Sequence, residues 1–144
     1  MTFAVQDKDR HDDVAGAGNG IVQTFDLSGN LLQDFAQGGV LNSPWGVVLT
    51  PALFGDFTKQ TIWIGNFGDG RINAFDPGTG AFLGTVNQSC VAPSCTTPKP
   101  IVIDGLWALS VGNDGSGGSS QKVYFTAGPN DESDGLFGAL SPSP

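Results

Sequence analysis

Apolar residues in this chain come in short runs, separated by clusters of glycine, proline, asparagine and aspartate. Arg71, Asn73 and Phe75 alternate with Ile72, Ala74 and Asp76, the period of two that separates the faces of a strand, so Arg71–Asp76 is predicted as a strand. Pro77-Gly78-Thr79-Gly80 follows as a turn whose glycines accept positive φ, and Phe82–Val86 as the next strand. Trp45–Leu49 is short and nearly all apolar, which predicts an inner strand buried on both faces. Ile62–Gly65 is rich in β-branched and aromatic residues, the composition of a strand. The same turn logic sets strands at Val22–Phe25 and Leu31–Phe35 on either side of Asp26–Asn30. No segment carries an apolar stripe of helical period and length, although Pro51–Phe57 has room for one short helical turn.

These elements repeat. Gly20-Ile-Val-Gln-Thr-Phe25-Asp26 returns about 50 residues later as Gly70-Arg-Ile-Asn-Ala-Phe75-Asp76, and one added turn residue brings Gly29 onto Gly80. A weaker third copy starts at Gly135 and places Ala139 on Ala74 and Pro142 on Pro77. Ser43–Leu49 corresponds to Asp104–Ser110, and Trp45 and Trp107 take equivalent places in their blades. Thr61–Asn66 corresponds to Lys122–Ala127 and, more loosely, to Thr2–Gln6. A period of about 50 with four short strands is the signature of a β-propeller blade.

The fold class expected is therefore all-β, with blades of four-stranded antiparallel sheet. Residues 1–38 form a partial blade, 41–88 a full one and 101–142 another partial one, with 89–100 as an inserted loop. That makes two and a half to three blades, against the 4–8 of typical propellers. The chain thus reads as a piece of a longer propeller, or as one that closes its ring by self-association. Gly20, Gly70 and Gly135 each open a third strand. Trp45 and Trp107 are expected as core wedges between blades, with a place at the mouth as a ligand platform as the alternative.

Composition agrees with this reading: 22 Gly and 9 Pro supply the turns, while ten Phe and three Trp supply a core. The formal net charge is −8, and the six basic residues are scattered, so no basic patch recommends nucleic acid as a partner. No apolar run reaches the roughly 18–20 residues of a membrane span. The start, MTFAVQDKDR, lacks the apolar core of a signal peptide, so either the protein stays in the cytoplasm or a secretory segment is missing from this chain. Cys90 and Cys95 are the only cysteines; they read as a small disulfide clip if the protein is exported, or as two free thiols in a cytosolic chain. Their spacing is not that of a C-x-x-C redox pair, and with His11 as the only histidine a four-ligand zinc site lacks donors.

Candidate chemistry gathers in the strand 2–3 loops and the entries to the inner strands, which share one face of a propeller. Asp12 and Asp13 lie in the first loop, Asn66 and Asp69 in the second, and Asn130, Asp131 and Asp134 in the third, with Asp104 ahead of an inner strand. Hard oxygen donors converging on an axis suit calcium, which takes 6–8 of them. Asp and Asn also make turns by bonding to their own backbone, and that reading stays open beside the metal one. His11 reads as a surface salt-bridge partner of the nearby aspartates, and Arg71 as the partner of Asp69. No G-x-S-x-G element or nucleophile–base arrangement is present to suggest a catalytic triad.

KDRHDDVAGAGNG at 8–20, LNSPWG at 41–46, GNFGDGRINAFDPGTGAFLG at 65–84, IVIDGLWAL at 101–109 and YFTAGPNDESDGLFG at 124–138 resemble one group. It is a family of conserved hypothetical, mostly exported bacterial proteins with NHL/TolB-like six-bladed propellers, some carrying PEP-CTERM sorting tails. The resemblance covers the C-terminal part of those proteins. It implies a partial six-bladed propeller and an extracellular or periplasmic location, and it carries no activity. Two functions follow as expectations. One is a non-catalytic binding or scaffold module for a protein, glycan or small ligand. The other is a calcium-dependent hydrolase of the lactonase/gluconolactonase-like six-bladed type.

Overall fold

The protein is described by a computed structural model covering residues 1–90 and 95–142. Ten strands occur among these residues, and no helix. They are β1 (Thr2–Phe3), β2 (Ile21–Phe25), β3 (Leu31–Gln37), β4 (Pro44–Leu49), β5 (Ile62–Asn66), β6 (Ile72–Phe75), β7 (Phe82–Thr85), β8 (Leu106–Val111), β9 (Val123–Ala127) and β10 (Leu136–Leu140). They form three antiparallel sheets, ordered β1-β2-β3, β4-β5-β6-β7 and β8-β9-β10. Each strand pairs with its neighbour in sequence, as in the blades of a propeller, and the whole is an all-β, partial β-propeller-like fold. Gly20 and Gly135 immediately precede β2 and β10, and Gly70 stands two residues before β6.

The sheets stack face to face, with the second sheet in the middle. Val22, Phe35, Leu41, Ile64 and Phe75 fill the space between the first and second sheets. Trp63, Ile72, Ala74, Leu106, Leu109 and Val123 fill that between the second and third. A fully buried side chain such as Ile64 or Ile72 contributes about 1.5–3 kcal/mol relative to exposure. The backbones come very close where β4 crosses β8. A Cβ at Gly46 would lie 2.7 Å from the Trp107 carbonyl oxygen and 2.8 Å from the Leu109 nitrogen, so only glycine fits there.

Three expectations need correction. β4 is not buried on both faces: Pro44, Gly46 and Val48 are buried, while Trp45, Val47 and Leu49 are exposed. Neither Trp45 nor Trp107 is a core wedge, because both side chains lie on the solvent side of their inner strands. Trp45 is 52% exposed, and Trp107 is half-buried with its indole N–H donating to Glu132 Oε1 at 2.7 Å. The core tryptophan is Trp63, whose ring meets Phe54 edge-on at 5.0 Å and Phe57 at 6.4 Å. Pro51–Phe57 holds no helical turn either. Positive φ at Leu53 (63°) and Gly55 (61°) reverses the chain, Phe54 bridges Phe57, and Phe54 is tucked beneath Trp63.

Cys90 and Cys95 are joined as a disulfide. Part of the expected inserted loop, residues 91–94, lies outside the described residues.

Candidate functional site

Among the described residues, the two-residue strand β1 pairs with β2 along one edge. The Met1 amine donates to the Gln23 carbonyl at 2.7 Å, and the Gln23 N–H donates back to the Met1 carbonyl at 2.9 Å. Such doubly bonded pairs recur at every second residue of an antiparallel ladder. Phe3, opposite Ile21, therefore also turns its backbone to β2, while Thr2 and Ala4 turn theirs to the opposite edge. The Thr2 hydroxyl donates to the Trp45 carbonyl at 3.0 Å and ties β1 to β4.

Beside that edge lies a cleft of about 400 Å³ lined by Phe3, Ala4, Val5, Gln6, His11, Asp12, Asp13 and Trp45. Its wall is mainly apolar. The Trp45 ring packs on Phe67 at 5.7 Å with a 50° tilt. Its rim is acidic. Asp7 accepts the His11 amide at 2.8 Å, and Asp12 accepts the Asp13 amide at 2.9 Å. One shielded carboxylate oxygen of Asp13, Oδ2, has no hydrogen-bond partner. His11 forms no ion pair among the described residues, contrary to the salt-bridge expectation: its side chain is exposed and its backbone, not its imidazole, engages Asp7.

The other candidate residues stay in separate loops. Asn66 is fully buried; its Nδ2 donates to the Val40 carbonyl at 2.9 Å and to Asp69 Oδ1 at 3.1 Å. Asp69 also accepts the Arg71 amide at 3.2 Å and forms a 4.0 Å ion pair with that guanidinium, an exposed contact worth about 0–1 kcal/mol. Asp104 accepts the Asn130 amide at 3.2 Å, and Asn130 Nδ2 donates to Asp134 at 2.7 Å. Asp131 points to solvent. Asn42 Oδ1 accepts the Gly16 amide at 2.7 Å and joins the first loop to the entry of the second sheet. Among the described residues, no three His, Cys, Asp or Glu side chains stand together where a metal ion would need them. No helix of the described residues is long and apolar enough to cross a membrane.

The element that sequence reasoning missed is the exposed face of β4. In Pro44-Trp-Gly-Val-Val-Leu49, Trp45, Val47 and Leu49 occupy one side of the pleat and Gly46 and Val48 the other, and because both sides are apolar the sequence carries no signal of which one faces solvent.

Comparison with known proteins finds uncharacterised proteins of Acanthamoeba polyphaga mimivirus, two of which align over most of this chain. One is 37% identical over 123 residues, 85% of this chain and 29% of the relative. The other is 35% identical over 128 residues, 88% of this chain and 28% of the relative. The chain thus spans less than a third of the length of these curated relatives. No family model matches the chain, and no solved structure matches it. The resemblance to an exported bacterial family of NHL/TolB-like propellers is therefore corrected: the relatives found are viral and uncharacterised, and no NHL or TolB family model matches.

Proposed function

We propose that this chain is a non-catalytic binding or scaffold module and that the cleft beside Trp45 is its docking surface. One observation carries the reading: an aromatic and aliphatic wall of Phe3, Val5 and Trp45 faces solvent in a cleft. Large apolar side chains grouped at a cleft and rimmed by polar residues mark interaction sites. The loop carboxylates support it in a negative way. Asp12 and Asp69 accept neighbouring backbone amides, the work of turn-making side chains, while Asp104 accepts the Asn130 amide from a loop 26 residues further on. A calcium-dependent hydrolase needs such oxygens gathered about one ion. The Cys90–Cys95 disulfide favours an oxidising location.

Two measurements test this reading. An apolar fluorescent dye should bind the full chain, and Trp45→Ala should weaken that binding several-fold with no loss of folded signal. Dye binding that ignores Trp45→Ala would remove the cleft from consideration. Thermal melting at millimolar calcium should leave the midpoint unmoved; a rise of several degrees together with lactone hydrolysis would favour the hydrolase.

A further inference from the structure

The segment that follows β7 carries a motif that the strands do not use. Asn87-Gln88-Ser89 is an Asn-x-Ser triplet with x other than proline, the acceptor pattern for an N-linked glycan. No other asparagine of the chain has Ser or Thr two places on. Such a triplet also arises by chance, so its setting decides. Val86 is buried, and the chain then leaves the core: Asn87 is half-buried, and Gln88 and Ser89 are exposed. The Gln88 amide donates to the Lys99 carbonyl at 2.8 Å, and the Ile101 amide to the Val86 carbonyl at 2.9 Å. These bonds hold the triplet at the base of a loop outside the three sheets. The Asn87 side-chain amide has no hydrogen-bond partner among the described residues. Asn66 and Asn73, by contrast, are buried and give their amides to the Val40 carbonyl. A glycan on Asn87 thus displaces no contact. Cys90, the residue after the triplet, is bonded to Cys95, and disulfides form in the oxidising secretory compartments where N-glycans are added.

We propose that Asn87 is an N-glycosylation site and that its first sugar lies over the cavity beside it. Asn87 lines a cavity of about 290 Å³ whose wall includes the aromatic side chains of Phe54, Phe57 and Trp63. A pyranose has a face of C–H groups, and these suit the negative face of an aromatic ring. In the transfer, Asn87 Nδ2 bonds to C1 of a polyprenyl-diphosphate-linked oligosaccharide. The C1–O bond to the diphosphate breaks, the polyprenyl diphosphate leaves with the electron pair, and one amide proton is released to solvent. The site rests on the oxidising location that the disulfide favours. It does not rest on the Trp45 cleft, with which this cavity shares no lining residue.

The test is secretion of the full chain from a eukaryotic cell behind a cleavable leader. Peptide N-glycosidase should lower the mass of the secreted chain by one N-glycan and, in heavy-oxygen water, should label position 87 alone. Asn87→Gln and Ser89→Ala should each remove the glycan, and Ser89→Thr should keep it. Asn87→Gln leaves no hydrogen bond unmade, so that variant should still fold and be secreted. Removing the glycan from the folded chain should lower the melting midpoint by a few degrees. A chain secreted with its disulfide closed but without a glycan overturns the site, as does a glycan that survives Asn87→Gln. An unmoved melting midpoint overturns the place of the sugar over the cavity. Free thiols at Cys90 and Cys95 in the secreted chain remove the oxidising location and the site with it. Trp45-dependent dye binding is indifferent to each of these outcomes, so the docking cleft stands or falls separately.

Discussion

Val47 and Ile64 stand opposite each other in β4 and β5 and share one face, yet Val47 is 40% exposed and Ile64 is fully buried. Their environments differ because the first sheet covers only part of the second. Val22 and Phe35, from β2 and β3, pack with Ile64 and Phe75. β1 reaches β4 through the Thr2 hydroxyl; Trp45 lines the cleft, and Val47 and Leu49 are exposed to solvent. One sheet face is thus core at its middle and solvent-exposed at its inner edge.

This division predicts opposite outcomes for two tryptophans. Trp63 is 1% exposed and is held between Phe54 and Phe57. Trp63→Ala should cost about 3–5 kcal/mol in urea denaturation, the range for emptying an aromatic core site. Trp45→Ala should cost about 1 kcal/mol or less, as at other exposed sites. Equal losses would mean that β4 is covered on both faces.

The same pair shows how far the chain's own pattern could be followed. The all-β class and the stacking of repeated units were legible because period-two runs and Gly-rich turns recur about every 50 residues. Most strand limits came within a residue, but the first strand, expected over Phe3–Gln6, is Thr2–Phe3, and β3 runs two residues past Phe35 to Gln37; β6 starts at Ile72 rather than Arg71 because Arg71 bridges instead to Val102. Burial was harder to read. Trp45 and Trp63 are both tryptophans within short apolar strands, and which one is buried depends on the sheet stacked against each face. No local pattern contains that information. The loop carboxylates were legible as turn residues, but their dispersal into separate clusters depends on how far apart the sheets hold them.

Two equivalent glycines separate backbone strain from steric collision. Gly29 and Gly80 end the corresponding turns Asp26–Gly29 and Asp76–Gly80, at φ +85° and +71°. A Cβ on Gly29 meets nothing within 4 Å, whereas one on Gly80 collides with the Phe35 carbonyl. Gly29→Ala should therefore cost about 1–2 kcal/mol, the strain of a left-handed residue alone. Gly80→Ala should add roughly 1–3 kcal/mol of overpacking to that. Thermal or urea unfolding of the two variants ranks them, and a Gly29 variant as damaged as the Gly80 one contradicts the assignment.

Acid titration should read those same turns. The Thr79 hydroxyl holds the Asp76 carboxyl below its ordinary 3.8, helped by the Thr79 and Gly78 amides and by the charge of Lys59. Asn30 does the same for Asp26, and Ser120 for Asp114. A carboxyl with a depressed folded pKa stabilises the fold above its unfolded pKa, and that contribution fades as pH falls through the folded value. The loss at these three sites thus begins near pH 3.8 and completes below it. Thr79→Ala should move the Asp76 midpoint upward in an NMR titration and leave Asp26 in place. An unmoved Asp76 would show that the hydroxyl is not the cause.

The loop after β9 holds three consecutive residues in the left-handed region: Asn130, Asp131 and Glu132, at φ 57°, 51° and 60°. Each such L-residue costs about 1–2 kcal/mol, less for Asn and Asp. Local bonds hold the loop. Ser133 Oγ donates to the Asn130 carbonyl at 2.6 Å, the Glu132 amide donates to the Gly128 carbonyl at 3.1 Å, and Glu132 Oε1 accepts the Trp107 indole at 2.7 Å. The Asp131 side chain makes no hydrogen bond among the described residues, so it adds strain without an offsetting contact. Asp131→Gly should leave stability unchanged or raise it by up to about 1 kcal/mol, the relief being partly offset by glycine's larger unfolded-state entropy. Glu132→Ala leaves the indole N–H without its partner and should cost about 0.5–1.5 kcal/mol, with a shift in Trp107 fluorescence. Glu132→Gln keeps a neutral acceptor and should recover most of that loss. Urea unfolding of the three variants decides the matter. If Asp131→Gly is as destabilising as Glu132→Ala, the Asp131 side chain has a structural role that its contacts do not account for.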